Sequence, residues 1–309
     1  MRIAVAGATG NIGSLAVAAL ERGGHEVTRM SRALGVDLST GEGLDEALAG
    51  VEAVLDVTNA PAADEVETVS FFTDTTSNLL AAEQRHGVRH HVLLSIVGID
   101  RVEGNAHYAG KRAQERLVSA GPVPWTIVPA TQFHDFAEMV AGWTERDRVA
   151  TIAPLLVQPV APADVADVLA QVVAGEPRGR HVDVAGPDPH DLVDMARRTH
   201  QVRGRHVRLV PTWSGIFGSA MAGDVLLPGA DALIAPTSFD AWLAPLVADA
   251  DPAGDRSSDI GRGRSAPAGP RPFFWRVPGV NACFRAIWTA LPVPMSREAS
   301  AADSGTVAL

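Results

Sequence analysis

Three glycines near the start of the chain are spaced for binding a pyrophosphate. Gly7, Gly10 and Gly13 form the pattern G-x-x-G-x-x-G, between an apolar run typical of a buried strand and a stretch with helical apolar spacing. In such a turn the first glycine permits the tight bend, the second lets the backbone approach a phosphate, and the third lets helix and strand pack closely. The helix amino terminus adds N–H groups and the positive end of its dipole. The turn is therefore predicted to bind a dinucleotide, through Gly7, Thr9, Gly10, Asn11, Ile12 and Gly13; a glycine-rich turn without a ligand is the alternative.

The end of the second predicted strand indicates which dinucleotide binds. NAD-binding proteins tend to place a carboxylate there for the ribose 2′-hydroxyl, whereas NADP-binding proteins place arginine for the 2′-phosphate. The stretch 28–32 holds Ser31 and Arg32, with Arg29 a weaker candidate, and no acid. NADP(H) is therefore expected in preference to NAD(H), unless this is a solvated turn of an arginine-rich protein. Further contacts, near the adenine and the nearer ribose, are predicted for Asp37, Thr58 and Asn59.

Lys111 is the one lysine of the chain, and every other residue with a fixed positive charge is arginine. A general bias toward arginine explains this where only charge matters. The lysine that remains is then a candidate for a role that needs a compact ammonium and not a planar guanidinium.

The composition excludes several classes of protein. The chain has 309 residues, of which 46% are hydrophobic and 20% charged, so neither a disordered polyelectrolyte nor a membrane bundle fits. A formal net charge of −10 disfavours nucleic acid or an anionic membrane as partner. Cys283 is the single cysteine and no signal peptide is recognised, so a cytoplasmic protein is predicted.

Two clusters of basic side chains are expected to be structural. His86, His90 and His91 lie around one turn, but no cysteine or suitably spaced acid accompanies them, so no metal site is predicted. The basic run 197–208 is short and is interpreted as a solvated helix end and turn, not as a DNA-binding surface.

Strands and helices are predicted to alternate along the first half of the chain. Such alternation indicates right-handed crossovers on a parallel sheet, and the fully apolar strands fit a sheet covered on both faces. The predicted strands are 2–6, 26–30, 53–57, 91–95 and 125–128, and the predicted helices are 11–22, 43–49, 65–85, 104–120.

From residue 133 the pattern loosens, and this part is expected to lie at the carboxyl ends of the strands, on the substrate side. Its predicted helices are 164–173, 191–199 and 238–246, and its predicted strands are 181–184 and 206–210. One domain is expected over 1–248, followed by a flexible linker and tail over 249–309. Five of the chain's sixteen aromatic residues fall within 273–288. This segment is interpreted as a tail without clear function, with a docking peptide for a protein partner or a membrane-surface segment as alternatives.

The chain from residue 1 to about 246 resembles the atypical short-chain dehydrogenase/reductases, specifically their NmrA-like NAD(P)H-binding branch. The resemblance lies in the glycine motif and in the segments 94–100, 108–114, 129–134 and 162–166. It implies an α/β fold with a Rossmann-type doubly wound parallel sheet and a small C-terminal subdomain on the substrate side.

The resemblance also implies a set of reaction residues. Catalytic members of the wider superfamily use a serine after a strand and a Tyr-x-x-x-Lys helix, in which the lysine lowers the tyrosine pKa and the tyrosine protonates the substrate. Ser95 and Lys111 match these places, and Pro129 is expected beside the cofactor. The tyrosine is displaced, because His107 lies four residues before Lys111 and Tyr108 lies three before it. Tyr108 or His107 is thus the candidate acid, or the chain lacks one.

Three functions compete. The first is NADPH-dependent reduction of a small carbonyl, enone or quinone, in an apolar pocket formed after Pro129 and around 213–217. The second is a non-catalytic NAD(P)-binding redox sensor, favoured by the displaced tyrosine, with 273–288 as a contact for a protein partner. The third is an isomerase or epimerase, for which the sequence offers no sugar-nucleotide feature. His134 and Asp135 are expected to be structural or to line the substrate pocket.

Overall fold

The apolar runs of the sequence form the strands of a parallel sheet. The computed structural model describes residues 1–60 and 64–250, so the predicted linker and aromatic tail beyond residue 250 lie outside the described residues. The strands are β1 (Arg2–Ala6), β2 (Glu26–Met30), β3 (Ala53–Asp56), β4 (His90–Ile96), β5 (Trp125–Ala130), β6 (Val149–Ile152), β7 (Leu156–Val157), β8 (Val184–Ala185), β9 (His190–Asp191), β10 (Arg208–Pro211) and β11 (Leu233–Ile234). The helices are α1 (Asn11–Arg22), α2 (Leu44–Ala47), α3 (Glu65–His86), α4 (Ala106–Ala120), α5 (Phe136–Thr144), α6 (Pro162–Val173), α7 (Leu192–Val202) and α8 (Phe239–Ala250).

Among the described residues, seven strands form the central sheet in the order β11-β8-β5-β4-β3-β1-β2, and all their pairings are parallel. From β1 the chain passes to β2 on one side and later to β3 on the other. Because the strand order reverses there, a crevice opens at the carboxyl ends of β1 and β3, where open α/β sheets bind ligands. The predicted doubly wound α/β fold is confirmed.

Helices cover both faces of the sheet because successive strand residues point to opposite sides. In β1, Ile3 and Val5 join the apolar cluster under α1 and α6, whereas Ala4 and Ala6 join the cluster under α3 and α4. These alternating side chains are fully buried, which explains why the strand is apolar throughout.

A third apolar cluster builds the C-terminal subdomain. It joins α5, α7 and α8 through fully buried residues such as Ala137, Met195 and Phe239. Ile99 and Tyr108 from the first half of the chain belong to the same cluster. The subdomain is thereby packed onto the segment between β4 and α4, next to the carboxyl end of the sheet.

The structure differs from the predicted elements mainly in this subdomain. The helix α5 and the short strands β6, β7, β9 and β11 were not predicted, because two to four residues carry too little periodicity and α5 has nine residues with apolar side chains on several faces. The predicted strand 181–184 begins only at Val184, since His181 makes a single isolated bridge with Ile127. Among the described residues, no helix is both long enough and apolar enough to cross a membrane.

Candidate dinucleotide cleft and reaction site

The glycine loop between β1 and α1 has no room for side chains. Gly7 has a φ of +82°, and a Cβ built on it would lie 2.9 Å from the Val57 carbonyl oxygen. A Cβ on Gly13 would lie 2.1 Å from the Gly7 carbonyl oxygen, well inside any permitted contact. Gly10 is the N-cap of α1 and provides no side-chain cap, so the first N–H groups of the helix are left for a ligand.

The residues of the loop divide into two groups. Thr9, Gly10 and Asn11 are exposed at its tip, whereas Ile12 and Gly13 are buried. Ile12 packs into the apolar cluster under α1. Thr9 and Asn11 are therefore the loop residues whose side chains can contact a ligand, while Ile12 holds the helix against the sheet.

The end of β2 lies directly beside this loop. The Met30 carbonyl oxygen accepts hydrogen bonds from the backbone N–H groups of Gly7 and Ala8, at 3.1 and 3.2 Å. The next residue, Ser31, has a buried hydroxyl with no hydrogen-bond partner among the described residues. Arg32 is exposed, whereas Arg29 is bound to Glu21 at 2.7 Å. Of the three side chains predicted to meet a 2′-phosphate, Arg29 is thus held by a carboxylate, whereas Arg32 forms no ion pair and Ser31 Oγ no hydrogen bond with the described residues.

The carboxylate of Asp37 is engaged within its own turn. It accepts hydrogen bonds from the backbone N–H and the hydroxyl of Ser39, at 2.9 and 2.7 Å. These bonds hold the pKa of Asp37 below its ordinary value. Its predicted place near an adenine stays a prediction.

The end of β3 turns sharply beside the glycine loop. Asp56 is the last residue of β3, is 1% exposed, and accepts a hydrogen bond from the Thr58 backbone N–H at 2.9 Å. Thr58 is half-buried and Asn59 is exposed. The turn places these two predicted contact residues at the crevice between β1 and β3.

The side chain of Lys111 is buried against β4 and does not reach the surface of the protein. Its ammonium donates to the Leu94 carbonyl oxygen at 2.7 Å and to Gln114 Oε1 at 2.6 Å, and lies 5.1 Å from the centre of the Phe72 ring. Burial lowers the pKa of Lys111 to about 8, although the charges of Asp56 and Glu115 act in the opposite direction. Two donors of the ammonium are therefore used in hydrogen bonds inside the protein, and the predicted contact with a nicotinamide ribose stays a prediction.

Unpartnered polar groups lie at the carboxyl ends of β4 and β5. Ser95 Oγ is buried and has no hydrogen-bond partner among the described residues, and Ser95 is paired in the sheet with Pro129, which is also buried. Two residues beyond β5, Gln132 has a buried Oε1 that is likewise unpartnered. Its Nε2 donates to the Tyr108 hydroxyl oxygen over a long 3.5 Å. Buried polar atoms normally have partners, so this edge of the sheet is prepared for a polar ligand atom.

Burial shifts the pKa values of the two candidate acids in opposite directions. Burial raises the pKa of Tyr108 to about 12, and Tyr108 therefore keeps its proton. Burial and the nearby Lys111 lower the pKa of His107 to about 4, and its ring lies 5.8 Å from that of Phe72. His107 is thus neutral at neutral pH and carries no extra proton, which favours Tyr108 of the two.

His134 has a structural role. Its Nε2 lies 3.1 Å from the Thr237 carbonyl oxygen, and its ring lies 5.6 and 5.7 Å from the rings of Phe239 and Trp242. Burial lowers its pKa, so it is uncharged. His134 therefore joins the segment after β5 to the start of α8.

The other clustered histidines have separate partners. His86 lies 2.9 Å from Asp45 Oδ1, His90 lies 2.9 Å from Thr126 Oγ1, and His91 lies 2.8 Å from Glu83 Oε1. Within the described part of the chain, no three His, Cys, Asp or Glu side chains are grouped so that they could hold a metal ion.

A groove of about 880 Å³ lies on the subdomain beside α7 and β10. Its lining includes Arg197, His200 and Arg205 from the basic run, but no predicted site residue. Arg197 is bound to Asp194 and Arg205 to Glu145, each at 2.5 Å. These arginines are therefore largely neutralised by neighbouring carboxylates.

Several residues predicted to form an apolar pocket lie in one cluster. Ile96 at the end of β4, Phe136 and Phe217 pack in one cluster, with the two phenyl rings 5.8 Å apart. Trp213, from the same loop as Phe217, is 37% exposed and Ile216 is 36% exposed. An apolar surface thus extends from the end of β4 toward the loop 213–217.

Three polar residues of the site, Asp56, Gln114 and Gln132, were not predicted to be site residues. Gln114 donates from Nε2 to Asp56 Oδ2 at 2.9 Å while accepting from Lys111, and Gln132 meets Tyr108. The sequence contains a weak signal for two of them, Gln114 and Asp56. Gln114 lies three residues after Lys111, on the same face of a helix, and Asp56 is a single acid at the end of an apolar strand.

The residues of the cleft fit a dinucleotide. The glycine loop excludes Cβ atoms where a pyrophosphate needs close backbone approach, and the unpartnered Ser31 hydroxyl lies where a 2′-substituent of an adenosine ribose is read. The chain's own residues thus offer donors to phosphates at both the loop and the end of β2.

Comparisons with known proteins agree with this geometry. Residues 7–176 match the family model described as NAD(P)H-binding. The chain is 31% identical over 226 residues to the (4-alkanoyl-5-oxo-2,5-dihydrofuran-3-yl)methyl phosphate reductase of Streptomyces griseus, covering 67% of this chain and 75% of that protein.

Solved structures share the fold. A short-chain dehydrogenase/reductase superfamily protein from Agrobacterium tumefaciens with bound NAD superposes with a TM-score of 0.59 at 17% identity, over 81% of this chain and 96% of that one. An NADPH-dependent quinone oxidoreductase from Escherichia coli, complexed with NADPH, gives 0.55 at 18% identity, over 68% and 78%. The resemblance found in the sequence is confirmed, and this chain belongs to the NAD(P)H-binding family whose model it matches, with a reductase among its relatives.

Proposed function

We propose that this protein is an NADPH-dependent reductase of a small carbonyl, enone or quinone. The observation that carries the proposal is the pair of buried, unpartnered polar atoms, Ser95 Oγ and Gln132 Oε1, at the carboxyl ends of adjacent strands. Leaving such atoms without a partner costs about 1–3 kcal/mol each. A substrate whose oxygen accepts from Ser95 removes the cost at Ser95 in the complex.

The side chains around this edge have distinct tasks. Bound NADPH supplies a hydride, which is chemistry that no side chain can perform. Ser95 donates its hydroxyl proton in a hydrogen bond that orients the substrate oxygen. Gln132 donates to the Tyr108 hydroxyl oxygen, so the phenolic proton of Tyr108 is free to be delivered to the substrate. The cluster of Ile96, Phe136 and Phe217 excludes water from the same place.

The preference for NADP(H) rests on the end of β2. Ser31 provides an unpartnered hydroxyl and Arg32 an exposed guanidinium, while no acid stands among residues 28–32 to repel a phosphate. Arg29 contributes less, because Glu21 already binds it.

The relative from Streptomyces griseus supports the enone as substrate class. The compound in its name has a ring alkene flanked by a ring carbonyl and an alkanoyl group. A compound of this kind needs a donor at a carbonyl oxygen and an apolar wall for the alkyl chain. Ser95 and the Ile96–Phe136–Phe217 cluster offer both.

The test combines binding and turnover on the full chain. In calorimetric titrations with NADPH, NADP⁺, NADH and NAD⁺, we expect NADPH to bind most tightly. Arg32→Ala weakens NADPH about tenfold and leaves NADH unchanged, because it removes one charge-assisted bond to the 2′-phosphate. Arg22→Ala, which removes an exposed arginine bound to Asp167, is the matched control.

Turnover is measured as oxidation of NADPH across carbonyls, enones and quinones. Ser95→Ala and Tyr108→Phe each lower kcat/KM by about 100-fold, as expected for loss of an orienting or proton-donating group. Absence of turnover over the whole panel contradicts the reductase, even if NADPH binds.

A non-catalytic redox sensor is the second candidate, and one observation favours it. The ammonium of Lys111 is occupied by Leu94, Gln114 and the ring of Phe72, so it is not presented as in a Tyr-x-x-x-Lys reductase. A sensor binds NADP⁺ and NADPH with different affinity, turns over nothing in the panel, and contacts a protein partner, for which 273–288 is the proposed segment. Deletion of that segment then abolishes capture of the partner.

A further inference from the structure

A buried chain of hydrogen bonds runs from α4 to the end of β3. At its centre Gln114 is fully buried; its Oε1 accepts from Lys111 Nζ at 2.6 Å and its Nε2 donates to Asp56 Oδ2 at 2.9 Å. Lys111 and Asp56 are 4% and 1% exposed. The amide therefore bridges two buried groups of opposite charge.

The two ends of this bridge meet the walls of the cleft. On one side Asp56 accepts from the Thr58 N–H at 2.9 Å, which shapes the turn after β3. In that turn the Val57 N–H donates to the Ala6 carbonyl oxygen at 3.1 Å, and the Val57 carbonyl oxygen lies 2.9 Å from where a Cβ of Gly7 would be. On the other side Lys111 donates to the Leu94 carbonyl oxygen, one residue before Ser95.

Glutamine is the residue type that satisfies both neighbours. Its carbonyl oxygen faces the ammonium and its N–H₂ group faces the carboxylate, so each charge meets the favourable end of the amide dipole. Glutamate would still accept from Lys111 but would repel Asp56. Leucine would leave both charges buried without this contact, which is strongly unfavourable.

We propose that Gln114 is a positioning residue for the dinucleotide cleft, which holds the turn 57–59 against the glycine loop and the end of β4 in register with it. The inference rests on the proposed binding of NADPH. Gln114 itself is buried behind the cleft wall and acts through Asp56 and Lys111, and through a long 3.5 Å hydrogen bond from its Nε2 to Thr58 Oγ1.

Binding of NADPH to the full chain is the first readout. Gln114→Leu and Gln114→Glu are expected to raise the Kd for NADPH about tenfold, since the turn at Thr58 loses its support. The matched control is Thr126→Val, which breaks a buried hydrogen bond with His90 at the amino ends of β4 and β5, far along the strands from the cleft. Thr126→Val is expected to lower Tm to a similar extent and to leave the Kd unchanged.

The single lysine allows a second, spectroscopic readout. A chain grown on ¹³Cε-labelled lysine carries one labelled side chain, and its signal reports the titration of Lys111. In the native chain the pKa of Lys111 is about 8. Gln114→Glu brings a carboxylate to the ammonium and raises this pKa, Gln114→Leu removes an acceptor and lowers it further, and Thr126→Val leaves it unchanged.

The outcomes separate this inference from the proposed function. If the native chain binds NADPH and either Gln114 variant that folds binds it with the native Kd, Gln114 does not position the cleft and the inference is overturned. If the pKa of Lys111 is the same in both variants as in the native chain, the bridge itself is absent, with the same consequence. If the native chain binds none of the four dinucleotides, the proposed function fails, and the inference fails with it.

Discussion

At Gly13 the cleft has no room for a single methyl group. A Cβ there would lie 2.1 Å from the Gly7 carbonyl oxygen and 2.9 Å from Ala8 Cα, and these backbone atoms belong to the loop that approaches the pyrophosphate. We expect Gly13→Ala to push α1 away from the loop, to lower the free energy of unfolding by about 1–3 kcal/mol, and to abolish measurable NADPH binding. Urea unfolding and calorimetry check the two effects.

A second glycine provides the control at the same scale. Gly142 lies inside α5, and a Cβ there would meet no atom within 4 Å. Gly142→Ala is expected to leave NADPH binding unchanged and to stabilise the protein by up to about 1 kcal/mol, because alanine is the better helix former. Native-like binding by Gly13→Ala would mean that the loop is not the pyrophosphate site.

At the scale of elements, α3 and α4 form the support behind the cleft. They cross at Gly110, where a Cβ would lie 2.5 Å from Phe72 Cδ2 and 2.9 Å from Thr68 Cγ2. Phe72 is fully buried and its ring lies beneath the ammonium of Lys111, so it has no free space into which to move. The close crossing of the two helices is thus tied to the position of Lys111.

Gly110→Val is therefore expected to separate α3 from α4. Overpacking of this kind costs about 1–3 kcal/mol, which lowers Tm by about 2–4 °C per kcal/mol in a protein of this size. Thermal unfolding measures the loss, and the ¹³Cε signal of Lys111 is expected to shift in the same variant. An unchanged Tm together with an unchanged lysine signal would show that the crossing is looser than the structure indicates.

At the scale of the whole molecule, several buried histidines make stability depend on pH. Burial depresses the pKa of His90, His134 and His200, and it lowers that of His107 from 6.5 to about 4. Each of them binds a proton more readily in the unfolded chain. Their contribution to stability is therefore complete above pH 6.5 and is lost as the pH falls toward the folded-state value. The contribution of His181 to stability has the opposite pH dependence, because its hydrogen bond with Glu115 raises its pKa.

The prediction for His107 alone is specific. Between pH 6.5 and 5 the free energy of unfolding falls by up to about 1.4 kcal/mol for each pH unit on account of this residue, because the unfolded chain binds up to one more proton there than the folded chain. Urea unfolding at pH 7.5, 6.0 and 5.0 measures the slope, and His107→Asn is expected to reduce it. Equal slopes in the two proteins would mean that folding does not depress the pKa of His107.

The regular elements of the first half of the chain could be predicted because their causes are local. The apolar run of β1, the helical spacing of α1 and the glycines at 7, 10 and 13 act within a few residues, and the observed bounds of β1, α1 and β2 equal the predicted ones. The elements of the C-terminal subdomain were predicted less accurately than those of the first half. Its two-residue strands β7, β8, β9 and β11 exist because partners distant in the chain are brought beside them.

The sequence by itself determined the dinucleotide fold, since backbone sterics and apolar periodicity depend on neighbouring residues. It also identified Lys111 and Ser95 as residues of interest. The tertiary structure alone decided where their polar atoms lie. The ammonium of Lys111 meets Leu94 from β4, and the Gln114 that binds it also meets Asp56 from β3, whereas Ser95 Oγ meets no described partner. Hydrogen-bond partners so far apart in the chain are set by the packing of whole elements, which no local pattern encodes.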